Sequence, residues 1–558
     1  MSDNESSDRG DQEVNSPVES PTELTDAVAS VPDSSDKTMG GNNAEVGSVA
    51  QGRFALLIVV SMVVLADFCL YHAAGFAGPA VFLAGALVLL CLGIPRRAIS
   101  SASVLLCLMT LWLSCRLATN GTAAQVLVGL WLLHAFTLAL RRQKPFVLET
   151  LVFAAECIPG GYQFFSRIND RMRDQVLSPV DEGQRSKLIE FILPVVAVIV
   201  FGGIFVMANP DMVSWVSGRL GSIAESIRDF LFQFSPLEVV FWCFIAWFTG
   251  GLLRPVTRPF MDNIVSAAVS ESKETALYSA FRNTLLTVIV LFGVYLVFEF
   301  RTLWFREFPD GFYYAGYAHQ GAAWLTVALA LATLTLSLIF RGITLQDPRL
   351  PRLRRLAFIW SLLNFVLAVA VYNRLFIYIN FNGMTRMRTV GLLGISSVVG
   401  GFVLVLWKIN SGRDFLWLIR RQLWVLGLAI YIYLALPVDR LIHEYNVDQI
   451  VGGNLAPVVQ ITGHEVDDEA LPTLLPLCDV EDKIISSGIR AMLHQRFANL
   501  RLQSEKTEAR GWTANQWGQD RALSQLEAEK QQWDESSDIE ARNSAYTRLK
   551  QHAYDNWW

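Results

Sequence analysis

Charge is scarce in this chain. Only 17% of its 558 residues are charged, 52% are hydrophobic and the mean hydropathy is +0.35, whereas soluble domains run nearer a quarter charged. That scarcity excludes an ordinary soluble protein. The seven cysteines form no CxxC pair and show no Cys/His spacing of a metal site, so no disulfide framework and no metal are expected. Five of them lie in apolar runs, where a free thiol packs as a small hydrophobe. GxGxxG, P-loop, HExxH, GxSxG and EF-hand patterns are all missing, and no cofactor is expected. The first fifty residues lack the basic start and short apolar stretch of a cleavable signal peptide.

The charges that are present are partitioned. Residues 1–52 hold 11 acids against 2 bases, and residues 438–558 hold 20 against 12, which leaves a net of +12 between them. The formal charge of −5 therefore averages a basic middle with two acidic ends. Too few aliphatics are present in 1–52 to offset chain entropy, so this segment is expected to be a disordered cytoplasmic tail. The basic excess lies beside apolar runs, which argues for a lipid bilayer as partner and against nucleic acid.

A hydrocarbon layer of about 30 Å needs about 20 apolar residues in a helix. Runs of that kind occur at 54–74, 76–94, 99–118, 122–140, 188–208, 236–253, 276–298, 321–340, 356–379, 389–407 and 422–437. They are too long for barrel strands and show no strand alternation, so the fold class is all-α: a polytopic membrane protein of about eleven helices. Loops after the even-numbered runs carry 22 Lys and Arg and loops after the odd-numbered runs carry 7. Cytoplasmic loops retain basic residues, so the N-terminus is expected inside and the C-terminal region outside, in a plasma (inner) membrane. The stretch 146–158 is expected to lie in the interface. Residues 162–177 and 213–234 have the periodicity of surface helices, read either as connectors or as a gate or lipid-sensing element. The organisation is then a tail (1–52), a four-helix part (53–144), a basic interfacial segment (145–187), a seven-helix part (188–437) and an acidic C-terminal region (438–558). That last region is expected to be irregular over 438–477 and helical from about 480. Its tryptophans at 512, 517, 533, 557 and 558 suggest a small helical domain or a docking surface for a protein partner.

Three short stretches stand out. The first runs from Glu299 and Arg301 through Tyr314, Ala315, Tyr317, Ala318 and His319 to Gly321. The second holds Arg374, Tyr378, Gly383, Thr385 and Arg388, and the third holds Tyr445 and Asn446. In this order they resemble a bacterial family of multi-pass membrane proteins, a domain of unknown function numbered 4173 and close to 4153, over about residues 188–480. His319-Gln320 departs from the basic pair that the resemblance implies. The resemblance implies a membrane fold and no particular activity.

By the basic-residue alternation all three stretches fall on the outer side, and so do the charged residues Asp67, Arg116, Glu238, Glu299 and Arg374. Charge inside a membrane is costly unless paired or hydrated. Each of these is read alone as a snorkelling or structural group, and together as the wall of a hydrated pocket. The candidate pocket is Glu299, Arg301, Tyr314, Tyr317, His319, Arg374, Tyr378, Thr385, Arg388, Tyr445 and Asn446, with Asp67, Arg116 and Glu238 as intramembrane charge partners. Arg374 is expected to be neutralised by Glu299 or Asp67. His134 is expected to be a packing histidine rather than a proton carrier, and Asn364, Asn373 and Arg282 to bridge helices. Two functions fit. One is a transporter or sensor-like scaffold with an outer pocket for a small-molecule or lipid ligand. The other is a membrane-embedded enzyme acting on a lipid-linked or envelope substrate, with His319 and Glu299 as acid–base candidates.

Overall fold

Inside hydrocarbon every backbone N–H and C=O must be satisfied within its own segment, and runs of this length do so only as helices. The computed structural model describes residues 54–94, 99–177, 235–254, 277–301, 314–340, 344, 347–534 and 539–557, and no strand occurs among them. The membrane part consists of α1 (Phe54–Tyr71), α2 (Ala77–Gly93), α3 (Ser101–Thr119), α4 (Ala123–Leu140), α5 (Val147–Leu177), α6 (Pro236–Leu253), α7 (Tyr278–Glu299), α8 (Tyr314–Ile339), α9 (Leu350–Asn382), α10 (Arg386–Ser411) and α11 (Phe415–Ala435). Seven of these (α1, α3, α4, α7, α9, α10 and α11) are long and apolar enough to cross a membrane, and α2, α6 and α8 contain shorter apolar stretches. Large apolar side chains such as Val290, Val294 and Val297 point outward from α7, an exposure that water would penalise and lipid does not. The chain is an all-α polytopic membrane protein. The remaining expected run, 188–208, and the expected surface helix 213–234 lie outside the described residues.

Local chemistry sets the helix starts. Ser100 with Ser103, and Thr122 with Gln125, form reciprocal capping boxes at α3 and α4. Thr385 and Asp414 accept from the third residue of α10 and α11.

The helices form two groups. Buried Leu83, Leu90, Leu113, Leu132, Phe136 and Phe153 belong to the core of α1–α6. Leu285, Leu336, Leu353, Trp360 and Val405 belong to that of α7–α10. Helix α11 lies between them: Trp424 and Tyr431 pack on the first core, while Leu418 is buried in the second. Its Arg420 pairs with Glu149 of α5 at 2.5 Å.

Several boundaries differ from those expected. The stretch 146–158 and the amphipathic 162–177 are one helix, α5, which passes through Pro159. It packs on α6 where Gly160, Gly161, Gly250 and Gly251 allow close approach. One face of the apolar half of α5, with Phe153 and Cys157, is therefore covered by protein, while Leu151 and Ile158 stay exposed. Helix α8 begins at Tyr314, so the Tyr314–Gly321 stretch is helical and not a loop. Residues 438–477, expected to be irregular, contain α12 (Val438–Val451), α13 (Val458–Gly463) and most of a 3-10 segment, Asp468–Asp479. Gly452, Gly453 and Pro457 sit between these pieces, Gly463 ends α13, and Pro472 and Pro476 lie in the 3-10 segment. Beyond them come α14 (Lys483–Arg510), a 3-10 turn at Trp512–Ala514, α15 (Trp517–Ala528), α16 (Lys530–Trp533) and α17 (Ile539–Trp557). Their core includes Leu474, Ile485, Leu493, Leu526, Trp533 and Leu549. Trp533 is buried against Phe497, whereas Trp512 and Trp517 are exposed.

Candidate functional site

The C-terminal region is fastened to one end of the helix bundle, the end at which α1, α3, α9 and α11 finish. Toward the first helix group, the Ala74 N–H donates to Thr513 Oγ1 at 3.1 Å and the Gly121 N–H to Gln516 Oε1 at 2.7 Å. Arg116 near the end of α3 grips both carboxylate oxygens of Glu469 at 3.0 Å each. A Cβ at Gly518 would lie 2.5 Å from the Thr119 carbonyl, so glycine is what lets α15 approach α3. Toward the second group, Arg386 at the start of α10 binds Asp439 through two nitrogens and Asp467 at 2.7 Å.

Helix α9 presents Arg374, Tyr378 and Asn382 four residues apart, hence on one face. At the N-terminal end of that row Arg374 meets Glu299 of α7, with Nε and Nη2 each 2.5 Å from a carboxylate oxygen. Tyr295 donates to the same carboxylate at 2.9 Å, and Glu299 is fully buried. At the C-terminal end of the row lies the α9–α10 turn. Gly383 has φ of 82° and ψ of −176°, a region essentially reserved for glycine. Asn446 of α12 holds the next residue by both backbone groups, accepting from the Met384 N–H at 2.6 Å and donating to its carbonyl at 2.9 Å. Arg388 stacks on Tyr378 at 3.7 Å and donates to the Gly383 carbonyl. Tyr445 donates to Asn380 at 3.0 Å.

Of the residues singled out in sequence, the structure therefore brings Glu299 together with Arg374. It separately gathers Tyr378, Thr385, Arg388, Tyr445 and Asn446 around the α9–α10 turn, about two and a half helical turns farther along. Arg301 is exposed at the end of α7. Tyr314, Tyr317 and His319 lie in the first turns of α8, and their side chains are outside the described residues. Asp67 and Glu238 are elsewhere, beside His72, and Arg116 is taken by Glu469. His134 is wedged between Phe153 and Phe248 with Nδ1 on the Leu130 carbonyl at 2.7 Å. Asn364 and Arg282, expected to bridge helices, instead turn to the Trp360 carbonyl of their own helix and to neighbouring Asn283. Within a helix the nearest acceptor is often the carbonyl four residues back.

Sequence reading passed over Arg386, Asp467 and Glu469, and gave Asp439 no role. The acidic run Glu465, Asp467, Asp468, Glu469 was its only visible signal, and such runs are commonly just solvated. Burial works to raise the Asp439 carboxyl, but its bonds to Arg386 outweigh this and hold it below the ordinary range. Asp467 is pushed up by burial and by the charge of Asp439 beside it. His443, buried on α12, is held neutral: burial pushes it down to about 4.

A cleft of about 850 Å³ opens between α12, the 3-10 segment and α15. Its wall reaches Thr119 at the end of α3 and includes Arg440, Glu444, Asp448, Glu469, Arg521 and Glu529. Arg440 is paired with Glu444 at 2.7 Å, and Glu469 is committed to Arg116. Asp448, Asp479, Glu529 and Arg521 complete the charged part of the wall, an amphoteric lining with an acidic excess.

No curated protein and no solved structure matches the chain. A family model does, described as "Domain of unknown function (DUF4153)", over residues 84–477. The match reaches farther toward the N-terminus than the motifs alone imply, taking in α3, α4, α5 and most of α2 together with α12 and the 3-10 segment. By that match the chain belongs to the DUF4153 family.

Proposed function

We propose that the protein is a sensor-like membrane scaffold rather than an enzyme, lying in a bacterial plasma membrane with its fastened end and C-terminal region outside the cytoplasm. The ligand is a small cationic or zwitterionic molecule of the amine or amino-acid class, taken up in the cleft. One observation carries this reading: the cleft wall is shared between the C-terminal region and the bundle. Thr119 belongs to α3, and Glu469 of the 3-10 segment is held to α3 by Arg116. Helix α12 presents Arg440, Glu444 and Asp448 to the cleft and Asn446 to the α9–α10 turn. Filling the cleft therefore bears on both helix groups. The orientation rests on the uneven basic residues of the loops.

The test is the unfolding temperature of the purified full-length chain in detergent, with putrescine, spermidine or arginine at millimolar concentration. A ligand that binds the folded form raises that temperature. The expected result is a rise with at least one of the three, lost in Asp448→Asn/Glu529→Gln. If no probe shifts the wild type, or if the double variant responds as the wild type does, the reading fails.

A further inference from the structure

We propose that Asp67, His72 and Glu238 form a binding site for a divalent transition-metal ion of the zinc class. The three residues come from the end of α1 and the first turn of α6, 166 positions apart in the case of His72 and Glu238. No spacing rule could have joined them, and the sequence alone implies no metal. One ligand atom from each lies within 4.8 Å of the other two.

The backbone assembles this set. Residues five apart on an α-helix point about 140° apart, given 3.6 residues per turn. Asp67–Tyr71 is instead a π-helical turn, closed by the His72 N–H on the Asp67 carbonyl at 3.0 Å. That wider turn brings residues 67 and 72 back to nearly the same side. Gly78 of α2 packs directly under it, where a Cβ would strike the Cys69 carbonyl. Local π-turns of this sort cluster at functional sites.

The orientation of the ligand atoms carries the proposal. Each carboxylate has one oxygen anchored by a protein donor. The Trp242 indole N–H donates to Asp67 Oδ1 at 2.7 Å, and the Ser235 N–H donates to Glu238 Oε2 at 3.2 Å. Each has its other oxygen turned toward the same imidazole nitrogen: Oε1 of Glu238 is 3.1 Å from His72 Nε2, and Oδ2 of Asp67 is 3.8 Å from it. Outer donors that fix one carboxylate oxygen and leave the other aimed inward are what a metal site needs.

Charge points the same way. Glu238 is buried and Asp67 mostly so, and among the described residues no Lys or Arg forms an ion pair with either. Two carboxylates and a neutral imidazole match a dication in charge, and one nitrogen with two oxygens is a donor set that zinc accepts. Bond lengths of 2.0–2.2 Å put tetrahedral ligands about 3.3–3.5 Å apart. The carboxylate–imidazole distances of 3.1 and 3.8 Å bracket that spacing. Three protein ligands leave a fourth position, the pattern of an ion that exchanges water or ligand rather than a closed structural site. His72 is more than half exposed, so that position faces outward.

The experiment uses the full-length chain, purified in detergent, stripped with EDTA and equilibrated with buffered micromolar free zinc. Bound metal is counted by elemental mass spectrometry and affinity is measured by titration calorimetry. The wild type should hold one zinc per chain. His72→Ala and Glu238→Gln should each weaken it by about 100-fold. Trp242→Phe, which removes the orienting donor, should weaken it by about tenfold, in the range of outer-shell changes. His72 lies outside the core, and glutamine keeps an oxygen for the Ser235 N–H, so both variants should elute as the wild type does. A wild type that holds no zinc overturns the proposal, because the histidine then merely bridges two acids. Retention of zinc at the wild-type affinity by both His72→Ala and Glu238→Gln also overturns it, because the metal is then bound elsewhere.

Discussion

Asp467 accepts from Asn120 with one carboxylate oxygen and from Arg386 with the other, at 3.3 and 2.7 Å. Asn120 ends α3 and Arg386 begins α10, so this one side chain touches both helix groups. Asp439 shares the Arg386 guanidinium but is far more buried, 9% exposed at the side chain against 41% for Asp467.

That difference ranks the two acids. Asp467→Ala should cost less than about 1 kcal/mol, as exposed pairs do. Asp439→Ala should cost about 2 kcal/mol or more, because it strips a charge-assisted partner from a buried position. Unfolding temperatures of the two variants in detergent check the order. Equal losses would mean that burial does not govern this cluster.

An arginine cannot shed its charge when its partner is removed. Arg374→Leu or Glu299→Gln alone should lower folded yield, at about 3–5 kcal/mol, while the double change should recover part of the loss. Monodisperse yield by size-exclusion chromatography is the readout. Unimpaired single variants would show the pair to be hydrated.

At the α9–α10 turn two small changes should each be severe. Gly383→Ala forces a side chain into a glycine-only conformation and onto Asn446 Oδ1, at about 1–3 kcal/mol. Asn446→Leu leaves both backbone groups of Met384 unsatisfied in a buried place, at about 1–3 kcal/mol for each. Thermal unfolding measures both, and a neutral Asn446→Leu would mean that water reaches the turn.

His443 makes the stability depend on pH. Its folded pKa is depressed to about 4 from 6.5, so the unfolded chain takes up the proton first as pH falls. Its contribution is complete above about pH 6.5 and is lost between there and about pH 4, by at most about 3 kcal/mol. His443→Phe should flatten that limb of the stability curve. An unchanged limb would assign the acid sensitivity to other groups.

Topology is checked with single cysteines at Ser16 and Ser536, in a background lacking the seven native thiols. An impermeant maleimide applied to intact cells should label position 536 and spare position 16. The reverse pattern would invert the proposed orientation.

The span pattern was legible because hydrocarbon imposes one rule on every segment, and apolar runs report it directly. Ten of the eleven runs coincide with described helices. What stayed hidden was set by contacts distant in sequence. That α5 continues through Pro159 depends on glycines of α6 about ninety residues later. That 438–451 is helical depends on Asn446 and Ile442 finding cover on the bundle and the 3-10 segment, since its own composition is polar. Arg374 and Glu299 were both visible as costly charges, and cost alone implied a partner of opposite sign. The Asp67–His72–Glu238 group was not visible, because a half-exposed histidine carries no such penalty and the π-turn leaves no mark in periodicity.

Helix α9 spans 33 residues, about 50 Å at 1.5 Å per residue, where the hydrocarbon layer needs about 30 Å. Such a rod is a lever. Pivoting about its middle by only 5°, it would carry its ends sideways by about 2 Å, given that length. Hydrogen bonds tolerate about 0.5 Å of stretch, so the two bonds between Met384 and Asn446 could not follow α12 through even that swing. The α9–α10 turn must either travel with α12 as one piece or let go of it, a ratchet with two positions rather than a sliding joint.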